Sequence, residues 1–431
     1  MPGPAPSPAP RLMHKLAENP RALRAALIVL FALFCIGDTA KFIRSMNRKK
    51  PTLKRWMPYA AELGADDRLY ERHPDYLYPP FFLVLIRPFT LVPPPVAAVV
   101  WQLLKYACLV ALFAAAWSLV ARAGPFPPWA KAASVAVCAR YVLSDLSHGN
   151  VNLYLAVCIA GAAWLLWNSR PFSAGVLVAL AACVKVTPGL WAAYLLYKRQ
   201  WRALLGVLCG TIIALEVIPL AALSPGMNHA LLGHWYQHVV NSFLRDADVE
   251  SMGMNQSVVA ITNRLLGRPE LTGGEPTITL AELSPAALRR LQRAVAVAIL
   301  AAYFWAVRGS MPRDPLIFAA EWGLAAPVTL ALSGYTWTGH FCLMVVAVCA
   351  LLAHFARWPD ISRAALRLGL AGFALVFLTT DLITPTGREW ASIFGLPLVS
   401  ALLMAAALVA LLRRHREKTR PPAQPPRPLA G

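Results

Sequence analysis

Asp38 stands where the first apolar run, Leu23–Ile36, ends, and Lys185 interrupts another apolar run across 172–197. An ionisable side chain in or beside a membrane-length apolar stretch is costly unless it meets water, a partner or a substrate. Asp38 therefore has two readings. It pairs with Lys41 at an interface, or it is a general base that takes the proton of a sugar hydroxyl attacking an anomeric carbon. One carboxylate suffices for an inverting transfer when the leaving group is already a phosphate, whereas hydrolysis of a glycoside uses two. Lys185 also has two readings: structural glue with Glu216 or Asp145, or neutralisation of charge developing on a phosphate leaving group.

The other polar groups fall in short clusters between apolar runs. They are Tyr78, the stretch His148-Gly-Asn150-Val-Asn152, the triplet Asn255-Gln256-Ser257, and Tyr335-Thr-Trp337-Thr-Gly-His340. On one face of a helix bundle they would form a single cavity with Asp38 and Lys185. Each has a plainer alternative: His148 and His340 as hydrogen-bonded helix ends, Asn255 as a helix cap. The functional alternative is binding of sugar hydroxyls. A metal site needs a tighter His/Asp/Glu cluster than this spacing offers, so neither metal nor cofactor is expected. No Gly-rich phosphate loop follows a strand, which argues against a nucleotide-binding domain.

Membrane helices must hold these residues. The 431-residue chain is 58% hydrophobic. It contains roughly eleven to thirteen apolar stretches, several near the ~20 residues that span hydrocarbon. The runs are continuous rather than alternating, which excludes a β-barrel. The expected fold is all-α, a polytopic transmembrane helix bundle with short helices on external loops at about 38–77 and 224–289. The first run lacks a cleavage signature and reads as a retained helix. The segment 126–147, interrupted by Lys131, Arg140, Ser144 and Asp145, reads as ambiguous, a half-span or re-entrant piece among the possibilities; 172–197 breaks at Pro188-Gly189 into two short helices lining a cavity.

A formal charge of +20 follows from Lys and Arg gathering in cytoplasmic loops, so no nucleic-acid partner is expected. Basic clusters before the first helix, at 198–202, 308–313, 357–367 and 413–420 put both termini in the cytoplasm and Asp38 outside. The basic residues of 39–77 run against that bias. Residues 1–20 and the basic, Pro-rich tail 413–431 read as disordered, leaving 21–412 as one catalytic domain in the cytoplasmic (plasma) membrane. Eight cysteines, nearly all in apolar runs and with no CxxC pair, read as small core residues.

On these motifs the chain resembles the GT-C superfamily of polytopic glycosyltransferases, and most closely glycosyltransferase family 87, over roughly Leu23 to His340. The carriers are Asp38, Tyr78-Pro-Pro-Phe-Phe with Trp101, His148-Gly-Asn-Val-Asn152, Ala-Cys-Val-Lys185-Val-Thr-Pro188, Asn255-Gln-Ser257 and Tyr335-Thr-Trp337-Thr-Gly-His340. The resemblance implies a polyprenyl-phosphate-linked sugar donor (mannose or arabinofuranose), a glycolipid or polysaccharide acceptor in or beside the lipid bilayer, and reaction on the outer face. It implies Asp38 as base with Lys185 and His340 as helpers. Asn150 stands where the family usually has Gln, and one His replaces two in the last motif. A lipid-linked sugar transporter or flippase is the competing class; the missing internal repeat and the gathering of polar groups toward one face favour the enzyme.

Overall fold

The computed structural model describes residues 20–46, 51–246, 249, 251–267, 278–357, 362–380 and 384–419. The expectations for 1–19, Arg48, Lys49, Lys50 and 420–431 lie outside the described residues. Within them the regular structure is helical: α1 (Pro20–Met46), α2 (Thr52–Glu62), α3 (Leu69–Arg72), α4 (Pro80–Ile86), α5 (Pro94–Ala121), α6 (Pro128–His148), α7 (Asn152–Trp167), α8 (Pro171–Val184), α9 (Gly189–Tyr197), α10 (Trp201–Ile212), α11 (Pro225–Trp235), α12 (Ser242–Asp246), α13 (Val258–Leu266), α14 (Pro285–Ala306), α15 (Pro315–Leu332), α16 (Val345–Phe355), α17 (Arg363–Leu378), α18 (Pro385–Ile393) and α19 (Leu396–Thr419). The protein is an all-α helix bundle.

Among the described residues six helical stretches are long and apolar enough to cross a membrane: Arg21–Met46, Pro94–Ala121, Trp201–Ala221, Pro315–Leu332, Thr338–Phe355 and Leu396–Thr419. Pro80–Leu91, Asn152–Trp167 and Pro171–Val184 are apolar but shorter. Other apolar runs fold into helices that carry charge, such as α14 with Arg289, Arg290 and Arg293 in its first turns. The centre is α15 and the stretch leading into α16, buried along almost their whole length, while α1 turns Leu27, Ile28, Leu30 and Ile36 outward. Lipid tails are as apolar as these side chains, so close packing rather than water exclusion holds such helices together. Glycines supply the closeness between α8 and α10. A Cβ on Gly175 would fall 1.8 Å from the Ala203 carbonyl oxygen, and one on Gly206 would fall 2.0 Å from that of Phe172.

Three places bear on the sequence reading. Asp38 is inside α1, not after it: Phe42 and Met46, one and two helical turns further on, are buried and carry the helix to residue 46. The segment 128–148 is one continuous 21-residue helix, α6, about 31 Å long at 1.5 Å per residue. It runs antiparallel to α5, since Trp117 bonds Ser134 at 3.0 Å near one end and Lys105 pairs with Asp145 at 2.7 Å near the other. Finally, α19 continues through Thr419, so the first residues of the expected tail are helical. The break in 172–197 falls where expected, with α8 ending at Val184 and α9 beginning at Gly189.

Candidate active site

The site is built around the turn between α6 and α7. Gly149 ends α6 in the left-handed conformation, φ 64°, a backbone state that glycine adopts without a Cβ penalty. It also lets α1 approach, because a Cβ there would sit 2.7 Å from the Phe42 ring. Trp101 Nε1 donates to the Gly149 carbonyl at 3.1 Å, and Thr52 Oγ1 to that of His148 at 2.9 Å. Lys105 anchors the turn from inside. Its ammonium donates to the carbonyls of Asp145 (2.6 Å) and Asn150 (2.7 Å) and pairs with Asp145 Oδ2 at 2.7 Å. Asp145 Oδ1 in turn accepts from the backbone N–H and Nδ2 of Asn152, at 3.1 and 2.9 Å. A buried charge pair is tolerable when its remaining donors and acceptors are satisfied in this way.

One helical turn along the same face of α5, the polar side chains reach Asp38. Asp38 Oδ2 accepts from Gln102 Nε2 at 3.1 Å and from the Tyr106 hydroxyl at 2.8 Å. Gln102 also donates to the Leu146 carbonyl at 3.3 Å, which ties the carboxylate to α6. The Tyr106 hydroxyl also lies 3.0 Å from Thr39 Oγ1 and 3.1 Å from the Cys35 carbonyl, with Asp38 the shortest of its contacts. Oδ1 has no hydrogen-bond partner among the described residues. A carboxylate held on one oxygen and open on the other can receive a proton without losing its orientation. The expected Lys41 pairing is absent among the described residues.

The third part comes from the opposite wall. Lys185, at the α8–α9 break, contacts His340 Nε2 through its Nζ. The Trp337 backbone N–H and carbonyl lie 2.6 and 3.2 Å from His340 Nδ1, so the backbone of its own segment holds the ring with Nε2 turned toward Lys185. Gly339 packs on the anchor, where a Cβ would lie 3.3 Å from both Asp145 Cβ and Asn152 Nδ2. Contiguous contacts therefore join Asp38, the Lys105–Asp145 pair and the Lys185–His340 pair at one end of the bundle.

The remaining candidates divide. Asn255 and Gln256 are buried, and both serve the backbone. Asn255 donates to the Gly334 carbonyl (2.9 Å) and accepts from Thr336 N (3.0 Å), while Gln256 donates to the carbonyls of Gly253 and Ser392 at 2.6 and 3.0 Å. They shape the segment that presents Trp337 and His340. The side chain capping α13 is Ser257, not Asn255. Tyr78 belongs to an aromatic wall with Trp56 and Phe82, ring centroids 5.3 and 4.9 Å away, and its hydroxyl reaches Asn150 Oδ1 at 3.5 Å. Trp337 is half-buried. His148 is exposed, its Nδ1 held by its own helix at Ser144 O, 2.7 Å. Gln102, Lys105 and Tyr106 were not singled out from the sequence. The signal was there in Lys105, an ionisable residue deep in an apolar run.

Over the site sit α2 and α3, braced by charge. His73 Nε2 lies 3.0 Å from Glu62, and Arg72 bonds Asp66 at 2.6 Å. The His73 hydrogen bond, with help from Arg72, holds the Glu62 carboxyl below its usual range; the Arg72 hydrogen bond does the same for Asp66.

Fold and site together define a multi-helix membrane protein with a carboxylate and a basic pair at one end, an arrangement suited to group transfer within the bilayer. The family model described as Glycosyltransferase family 87 matches residues 76–333. The chain belongs to that family and is a glycosyltransferase. It is 25% identical to a polyprenol-phosphate-mannose-dependent alpha-(1-2)-phosphatidylinositol pentamannoside mannosyltransferase of Mycobacterium tuberculosis, covering 95% of this chain and 92% of the relative. It is also 25% identical to a polyprenol-phosphate-mannose-dependent alpha-(1-2)-phosphatidylinositol mannoside mannosyltransferase of Mycolicibacterium smegmatis, over 82% of this chain and 80% of the relative. No solved structure matches the chain.

Proposed function

We propose that this protein transfers mannose from a polyprenyl-phosphate donor to a hydroxyl of a glycolipid or polysaccharide acceptor, in one inverting displacement on the outer face of the membrane. The observation that carries the reading is Asp38, oriented through one oxygen by Gln102 and Tyr106 at the end of the bundle that also holds Lys185 and His340. The acceptor oxygen forms its bond to the anomeric carbon as the bond from that carbon to the phosphate oxygen breaks. The hydroxyl proton passes to Asp38. The polyprenyl phosphate leaves with the bonding pair, and its added negative charge meets Lys185 and the His340 imidazole.

The activities named for the relatives support mannose and a lipid-linked acceptor. The distribution of charge supports the outward direction. Arg122 bonds Asn168, Arg357 the Ala123 carbonyl, and Lys198 the Val307 carbonyl. These contacts gather the basic clusters at the end away from Asp38, as expected of a cytoplasmic face.

The test uses purified protein in lipid with radiolabelled polyprenyl-phosphate-mannose and a lipid extract of the host. Wild type should move label into a new glycolipid and Asp38→Asn should not. Transfer only from a polyprenyl-phosphate-arabinose donor would change the sugar and keep the mechanism. Equal transfer by both proteins would remove Asp38 as base, and silence with every donor would favour a transporter.

A further inference from the structure

The far end of the bundle carries a second polar site that the transfer reaction does not use. Where α14 and α19 end, Trp305, Arg308, Arg413, Arg416, Glu417 and Thr419 line a cleft of about 530 Å³. That is within the roughly 300–1,000 Å³ of small-ligand pockets. It lies away from Asp38. Glu321, near the start of α15, faces Arg416 at 3.8 Å, whereas the segment following the other end of α15 carries His340. The 18 residues of α15 separate the two ends by about 27 Å.

The cleft is built for an anion. Three arginines face one glutamate, Glu417. The deeper carboxylate, Glu321, is already matched by Lys198 at 2.7 Å. Arg416 Nη2 donates to the carbonyls of Ala306 and Arg308, yet Nη1 is buried with no partner among the described residues. A guanidinium nitrogen in that position is costly unless an acceptor reaches it. Arg308 lies over the Trp305 ring, 4.2 Å to the centroid, and donates to the Trp305 carbonyl at 2.7 Å. That stacking holds the arginine at the rim.

The surroundings point to lipid. Tyr197, Trp201 and Trp305 are 43%, 66% and 49% exposed, and the Tyr197 ring sits 5.1 Å from Phe304 on α14. Exposed aromatics at the end of a membrane bundle mark headgroup level, and basic pockets between helices at that level bind anionic headgroups.

We propose that this cleft binds the phosphate headgroup of an anionic membrane lipid. The inference stands independently of the transfer reaction.

Delipidated full-length protein in detergent would be titrated with phosphatidylglycerol and with phosphatidylcholine, and bound lipid counted by native mass spectrometry. Wild type should retain phosphatidylglycerol preferentially. Arg308→Gln with Arg413→Gln should lower that preference about thirtyfold, two charges at about 1 kcal/mol each. Arg308→Lys with Arg413→Lys should keep most of it, which separates loss of charge from loss of fold. Thermal unfolding in phosphatidylcholine alone should be the same for all three proteins. An unchanged preference in the glutamine variant would overturn the proposal. So would stabilisation by inorganic phosphate equal to that by phosphatidylglycerol, because the site would then be one for a free anion.

Discussion

Lys105 Nζ lies 2.7 Å from Asp145 Oδ2 and neither side chain is exposed. The same ammonium bonds two backbone carbonyls of the α6–α7 turn, so the pair moulds the turn on which Gly149, Asn150 and Asn152 sit. Removing one member leaves a buried charge unmatched, at a cost of about 3–5 kcal/mol. Lys105→Met and Asp145→Asn should each sharply lower thermal stability in lipid. The double variant should be less destabilised than the sum of the two, as for residues in one network. Strictly additive losses would separate the two residues.

Asp38 should behave differently from that anchor. Its Oδ1 is open and Oδ2 is held by Tyr106 and Gln102, so Asp38→Asn keeps the shape and removes the proton acceptor. Transfer should fall by about 10²- to 10⁴-fold, the usual worth of a general base, with unfolding temperature nearly unchanged. Tyr106→Phe removes only the orienting hydroxyl. It should cost less in rate and act on kcat rather than KM, a split that simple loss of packing would not give.

These two cases also mark what the sequence could reveal. Asp38, Lys185 and His340 were legible because charge or imidazole beside apolar runs demands a reason. The break after Lys185 was legible from Pro188-Gly189. The end of α1 was not, because Lys41 and Arg44 look like a loop until Phe42 and Met46 are seen to be buried. Lys185 was offered Asp145 as a partner, but Lys105 takes that place from α5, and only tertiary contact decides between two lysines. Glu216, the other partner offered to Lys185, is half exposed beside His229. The backbone service of Asn255 and Gln256 depends on chain segments some eighty and more residues away, beyond any local pattern.

Gly149 carries both a conformational and a steric demand. Its φ is 64° and Phe42 lies where a Cβ would go. Gly149→Ala should push α1 from the turn and disturb Asp38, one helical turn from Phe42. Activity should drop more than stability, and Phe42→Ala in the same chain should restore part of it. Failure of Phe42→Ala to rescue would leave backbone strain alone as the cause.

The charged brace above the site should be acid-sensitive. Glu62 and Asp66 have folded-state values below their usual ones, so their stabilisation is present above the unfolded carboxylate range near ~4 and is lost as pH falls through the lower folded values. Both are partly exposed and the effect is local. Proteolytic cleavage within 51–78 should accelerate below about pH 4, and Glu62→Gln with Asp66→Asn should show fast cleavage at neutral pH too. The same pH response in that variant would rule out the brace as its source.

Lys185 Nζ and His340 Nε2 face one another while the Trp337 backbone holds Nδ1. An oxyanion entering between them would accept from the lysine and, with the ring proton on Nε2, from the imidazole. If that oxyanion is the departing phosphate, the interaction strengthens as its charge grows. Lys185→Met should then lower kcat by about 10²- to 10³-fold, the range seen on removing one donor to developing charge, with KM for polyprenyl-phosphate-mannose changed far less. Lys185→Arg should recover part of the rate, and His340→Ala should lose less than Lys185→Met because a neutral donor contributes less than a charged one. Steady-state kinetics on the three variants distinguishes this from simple docking. A rise in KM at constant kcat would assign the pair to ground-state binding of the phosphate and leave the leaving-group charge to another residue.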